Sequence, residues 1–85
     1  MRYVVVWPER VTDDLMSIWS LAPDPTAVAA STDRIDYHLT SAPLSFGESR
    51  ESSLRRVAYI APLKVEFEVI EDDKRVVVRN VFLVK

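Results

Sequence analysis

Among the basic side chains on strand-like runs in the C-terminal third of the chain, four stand out: Arg55, Arg56, Lys64 and Arg79. Arg and Lys converging on one sheet face would hold a phosphodiester and stabilise charge developing on it. The same residues serve equally as the solvent coat of a sheet or as the complement of an acidic partner, and their spacing leaves all three readings open. Neighbouring strand residues face opposite ways. Of Arg55 and Arg56, one therefore points to the helical side or the rim and the other to the open face.

Other chemistries find weaker support. Glu66 and Glu68 share a face of one strand, but cross-strand pairing with Arg79, Lys64 or Arg75 accounts for them better than a glycosidase-type acid/base pair. Glu71, Asp72 and Asp73 read as a hairpin turn, where acidic side chains bond nearby backbone. His38 is the single histidine and lies among Asp33, Asp36 and Tyr37. Without a second histidine or any cysteine it reads as a structural or surface residue, and no metal or other cofactor is expected. No glycine-rich loop exists to cradle a nucleotide phosphate.

These residues need a scaffold, and 85 residues allow one domain, 1–85. The single glycine leaves few positions that hold positive φ cheaply. The net charge of −2 argues against a general nucleic-acid binder. Its distribution is uneven: residues 1–49 carry 3 basic and 7 acidic groups, and residues 50–85 carry 8 and 6. The apolar run 3–7 is far too short for a signal peptide or a membrane span, so a cytoplasmic, bacterial-style protein is expected.

Residues 1–7 read as a strand with two apolar faces, hence well buried. Pro8 stops it. Residues 9–21 read as a first helix with Val11, Leu15, Ile18, Trp19 and Ala22 at helical spacing. Asp24 is a good N-cap and Pro25 a good first residue for a second helix ending near residue 41. That helix has a thinner stripe of Val28, Ile35 and Leu39, widened by Ala27 and Ala42, and is expected to be held less tightly. Residues 43–53 read as a mobile loop. The runs 54–60, 63–70 and 75–85 then form an antiparallel meander. The expected class is α+β: β-α-α-β-β-β, an αα-hairpin packed on a four-stranded, mainly antiparallel sheet. On the last run, Val76, Val78, Asn80, Phe82 and Val84 alternate with Val77, Arg79, Val81 and Leu83, so both sets are largely apolar. One set must lie beneath the helices, which leaves the other for neighbouring side chains or a partner.

The order of these motifs resembles the RelE/ParE superfamily of bacterial toxin–antitoxin toxins, which includes plasmid-stabilisation proteins. The resemblance spans nearly the whole chain. It rests on the opening Tyr-Val-Val-Val-Trp at 3–7, the two helices, the Leu-Arg-Arg-Val strand at 54–57 after a Ser/Gly loop, and the segment 62–78. That segment, Pro-Leu-Lys-Val-Glu-Phe-Glu-Val-Ile-Glu-Asp-Asp-Lys-Arg-Val-Val-Val, is similar to the family's Pro-x-Arg-Val-x-Phe/Tyr-x-Val-x-Asp-Asp-x-x-Val-x-Val signature.

The resemblance implies a toxin neutralised by a cognate antitoxin laid over its sheet and helices. RelE-like members cleave mRNA at the ribosome, and ParE-like members poison DNA gyrase. As an mRNA endoribonuclease, the chain would use Arg56, Lys64 and Arg79 as catalytic residues and Arg55 and Arg75 to bind RNA. Lys64 stands where the family carries Arg, which keeps the charge and loses the bidentate fork. The family's basic tail is missing, Phe82 has no hydroxyl, and Arg79 lies earlier than the family's last-strand base. The resemblance thus implies a divergent or incomplete acid–base pair. The alternatives are a gyrase-poisoning toxin, a non-enzymatic protein-binding module acting through the sheet face, and a homodimer.

Overall fold

The protein is described by a computed structural model covering residues 2–84. Met1 and Lys85, the outer ends of the two terminal strands read from the sequence, lie outside the described residues. The chain runs β1 (Val4–Val6), α1 (Glu9–Leu21), α2 (Pro25–Ser41), a 3-10 turn (Pro43–Ser45), β2 (Glu48–Arg50), β3 (Ser52–Ile60), β4 (Leu63–Ile70) and β5 (Arg75–Leu83). The sheet order is β1-β5-β4-β3-β2. β1 pairs parallel to β5, and the other pairs are antiparallel.

The expected α+β class and the β3-β4-β5 meander hold, with five strands instead of four. The added strand, β2, lies inside the segment read as a loop. Glu-Ser-Arg has little strand propensity of its own. It is a strand because it pairs with the edge of β3, Glu48 opposite Val57 and Ser49 opposite Arg56. Gly47 makes this return possible, with φ 74° and with the Val57 carbonyl oxygen 2.3 Å from where a Cβ would stand. Glu51 and Lys74 also adopt positive φ, at 62° and 51°, which L side chains rarely do.

Both helix starts follow local chemistry. Pro8 precedes α1, and its carbonyl accepts the Thr12 amide at 2.9 Å. Asp24 caps α2 by accepting the Ala27 amide at 3.1 Å, with Pro25 as first residue. The two helices differ from expectation in burial. α2 buries Val28, Ser31, Ile35 and Leu39, whereas α1 fully buries only Val11 and leaves Met16, Trp19 and Leu21 exposed. The thinner stripe of α2 sits over the middle of the core, so α2 is the better-held helix. Ala42, read as part of its stripe, is exposed.

The core joins Val28, Ile35 and Leu39 to Leu63, Val65, Phe67 and Val69 of β4 and Val76, Val78 and Val81 of β5. β1 is an edge strand, so it is not well buried as expected: Val4 is 65% exposed while Val5 packs on the core. The start of the chain is pinned to the β4–β5 turn. The Tyr3 hydroxyl donates to Glu71, Lys74 bonds the same carboxylate at 3.1 Å, and the Val4 amide donates to the Lys74 carbonyl at 2.8 Å. The hydrogen bond from Tyr3, then that from Lys74, hold the Glu71 carboxyl below its ordinary range. The bond to Glu71 raises both the Tyr3 phenol and the Lys74 ammonium.

Candidate functional site

The face of the sheet away from the helices carries the basic residues. On β4 the alternation is strict: Leu63, Val65, Phe67 and Val69 point to the core, and Lys64, Glu66, Glu68 and Ile70 point outward. On β5 the alternation changes phase. Glu66 pairs with Asn80 and Phe67 with Val78, leaving Arg79 as the extra residue of a β-bulge. Val76 and Val78 face inward before it, and Val81 is buried after it. The choice between two alternating sets therefore does not arise, because the inward set changes over at the bulge. Arg79 and Asn80 emerge side by side on the open face, where Arg79 bonds Glu68 and Asn80 bonds Glu66.

Three cross-strand rows result. The first holds Arg55 opposite Glu68, the second Val57 opposite Glu66 and Asn80, and the third Tyr59 opposite Lys64 and Phe82. A cleft of about 150 Å³ opens over the first two rows, lined in part by Arg55, Arg56, Arg79, Glu66 and Asn80. The β2–β3 turn walls one side with Arg50 and Glu51.

Hydrogen bonds fix the floor of this cleft. The Asn80 amide donates to Glu66 Oε1 at 2.7 Å. Arg10 reaches from the start of α1 to the Arg79 carbonyl at 2.6 Å and to Asn80 Oδ1 at 3.4 Å. Arg10 can reach there because β1 accompanies β5 only as far as Val77. Arg79 donates through Nε and Nη2 to Glu68 Oε1 at 3.2 and 2.6 Å. The cross-strand pairing expected for the glutamates thus holds for Glu68 with Arg79, while Glu66 takes Asn80 as its partner rather than Lys64 or Arg75.

Of the five basic residues singled out from the sequence, Arg55, Arg56 and Arg79 meet at the cleft. Arg55 and Arg56 divide between the two faces as the pleat requires. Arg55 stands on the open face, 3.6 Å from Glu51. Arg56 turns to the rim and donates to the Phe46 and Gly47 carbonyls at 2.9 and 2.8 Å and to Ser49 Oγ at 3.1 Å. Lys64 lies one row along, its Nζ 5.9 Å from the Tyr59 ring centre and 5.4 Å from that of Phe82. Arg75 lies at the β4–β5 turn, 3.9 Å from Asp73. His38 stacks on Phe46, ring centres 4.6 Å apart, on the helical side. Sequence reading missed Arg10 and Asn80. The Arg-Asn pair interrupting a valine-rich run was the available signal for the bulge.

No protein-family model matches the chain, and no curated protein sequence does. Solved structures do match. A chain of the toxin–antitoxin complex RelBE2 from Mycobacterium tuberculosis has a TM-score of 0.77 at 20% identity, covering 98% of this chain and 99% of that one. The isolated RelE toxin of E. coli gives 0.71 at 14% identity, covering 98% and 85%. A chain of the chromosomal ParDE system of P. aeruginosa gives 0.72 at 15%, covering 98% and 97%. The protein has the fold of the RelE/ParE toxins. Among its described residues no helix is long and apolar enough to cross a membrane.

Proposed function

We propose that this protein is the toxin of a type II toxin–antitoxin pair and that its open-face cleft takes an RNA phosphodiester for cleavage of mRNA on the ribosome. The observation that carries the reading is the β5 bulge. It brings Arg79 to the same cleft as Arg55, with the Glu66 carboxylate in its lining one row along. Two guanidinium groups on adjacent sides can each fork onto phosphate oxygens and hold the charge that grows on them as phosphorus becomes five-coordinate. Glu66, oriented by Asn80, is the carboxylate that accepts the 2′-hydroxyl proton. The 2′-oxygen then bonds phosphorus, the bond to the 5′-oxygen breaks, and water protonates the departing 5′-oxygen. Arg56 supports this cleft by fastening the chain between Phe46 and Ser49. Lys64 and Arg75 contact flanking phosphates along the same face.

A second reading, a toxin that binds DNA gyrase without cutting RNA, is favoured by one specific feature. Among the described residues that line the cleft there is no imidazole or phenol to serve as acid. Both readings call for a cognate antitoxin and cytoplasmic action. Controlled expression in a bacterial host tests them together: growth should arrest and recover when the product of the adjacent gene is supplied. Arrest accompanied by gyrase-dependent DNA breaks and intact mRNA selects the second reading, and unimpeded growth contradicts both.

A further inference from the structure

The described carboxylates around the cleft are not equivalent. Glu51 is 80% exposed and 3.6 Å from Arg55, a pair that solvent and salt largely screen. Glu66 takes its hydrogen bond from a neutral amide. Glu68 is different: its side chain is 32% exposed, one oxygen accepts two N–H groups of Arg79, and its residue stands directly opposite Arg55 in the register. A carboxylate gripped in this way presents to Arg79 what a phosphate would present.

We infer that Glu68 is an internal phosphate surrogate that sets the affinity of the cleft for nucleic acid. It rests on the proposed reading of the cleft as a phosphodiester site. A ligand phosphate reaches the Arg79 fork only when Glu68 has left it, so the apparent affinity is the intrinsic one reduced by the fraction of time that Arg79 is released. The carboxylate also repels the incoming anion. Glu68 faces outward from a strand whose alternate residues form the core, so its side chain can swing away while β4 stays in place. The chain thereby holds a cationic site without binding every polyanion it meets, in keeping with its net charge of −2.

The test is equilibrium binding of a fluorescein-labelled single-stranded oligouridylate to the purified full chain, followed by anisotropy at fixed salt. Glu68→Gln keeps the shape and removes the charge, and should bind about fivefold more tightly than the unmodified protein. Glu9→Gln removes the same charge from the start of α1 and should bind as the unmodified protein does. Arg79→Ala should abolish the gain when added to Glu68→Gln. Equal binding by Glu68→Gln and the unmodified chain, or an equal gain from Glu9→Gln, overturns the inference and leaves the proposed function standing. Binding by neither the unmodified chain nor Glu68→Gln, with both folded by circular dichroism, overturns both.

Discussion

The Arg56 guanidinium donates from Nε to the Phe46 carbonyl at 2.9 Å, bridging β3 to the segment that leads into β2. A second nitrogen donates to the Gly47 carbonyl at 2.8 Å. Arg56 is therefore a brace for the rim of the cleft, and its loss affects stability. Arg56→Ala strands two carbonyls and should cost about 2 kcal/mol, lowering the melting temperature by roughly 10 °C in a domain of this size. Arg56→Lys should recover less than half, because an ammonium lacks the planar fork. Urea unfolding followed by tryptophan fluorescence reads both.

Gly47 is the companion of that brace. A methyl group there would sit 2.3 Å from the Val57 carbonyl oxygen and 2.8 Å from the Ala58 side chain. Both belong to a strand that is paired on its two sides, so neither yields easily. Gly47→Ala should destabilise by roughly 3 kcal/mol, combining left-handed backbone strain with displacement of β3. Equal urea midpoints for Gly47→Ala and the unmodified chain would count against this account of the β2 return.

The Tyr3–Glu71–Lys74 cluster gives stability a defined pH dependence. The Glu71 pKa is lowered from 4.5 by the hydrogen bonds from Tyr3 and Lys74. Its contribution is present above 4.5 and is lost as pH falls through the lowered folded value. The Tyr3 pKa is raised above 10.0 and that of Lys74 above 10.5, chiefly through their bonds to Glu71. Those contributions are full below the ordinary values and are lost as pH rises through the raised ones. Unfolding midpoints should therefore be flat through neutrality as far as this cluster is concerned, with losses at both extremes. Tyr3→Phe should weaken the acid-side loss. An acid limb identical in Tyr3→Phe and the unmodified chain would separate Glu71 from it.

Much of this molecule could be read in its residues because much of it is local. Pro8, Asp24, Pro25 and Pro43 punctuate the helices, and α1 spans the residues expected of it. The meander follows from three β-rich runs separated by tight turns. What escaped reading depends on pairing and cover rather than on a segment's own residues. β2 owes its strand character to the β3 edge. α1 is the more apolar helix, yet Met16, Trp19 and Leu21 remain exposed because the described chain has nothing to cover them. The β5 bulge was marked only by Arg79-Asn80, because the valines around them are apolar on either face and conceal the change of phase. The same bulge builds the cleft. The grouping of Arg55 with Arg79 was legible from strand order, whereas the Asn80–Glu66 and Arg10–Arg79 bonds required the register.

The most direct test of the central claim is cleavage of mRNA by the purified chain on programmed ribosomes, with ends mapped by primer extension. The unmodified protein should make discrete cuts. Glu66→Gln should reduce the rate 10²- to 10⁴-fold, as expected for removal of a general base, while remaining folded. Intact mRNA at every time point, or cleavage by Glu66→Gln at the unmodified rate, would contradict it.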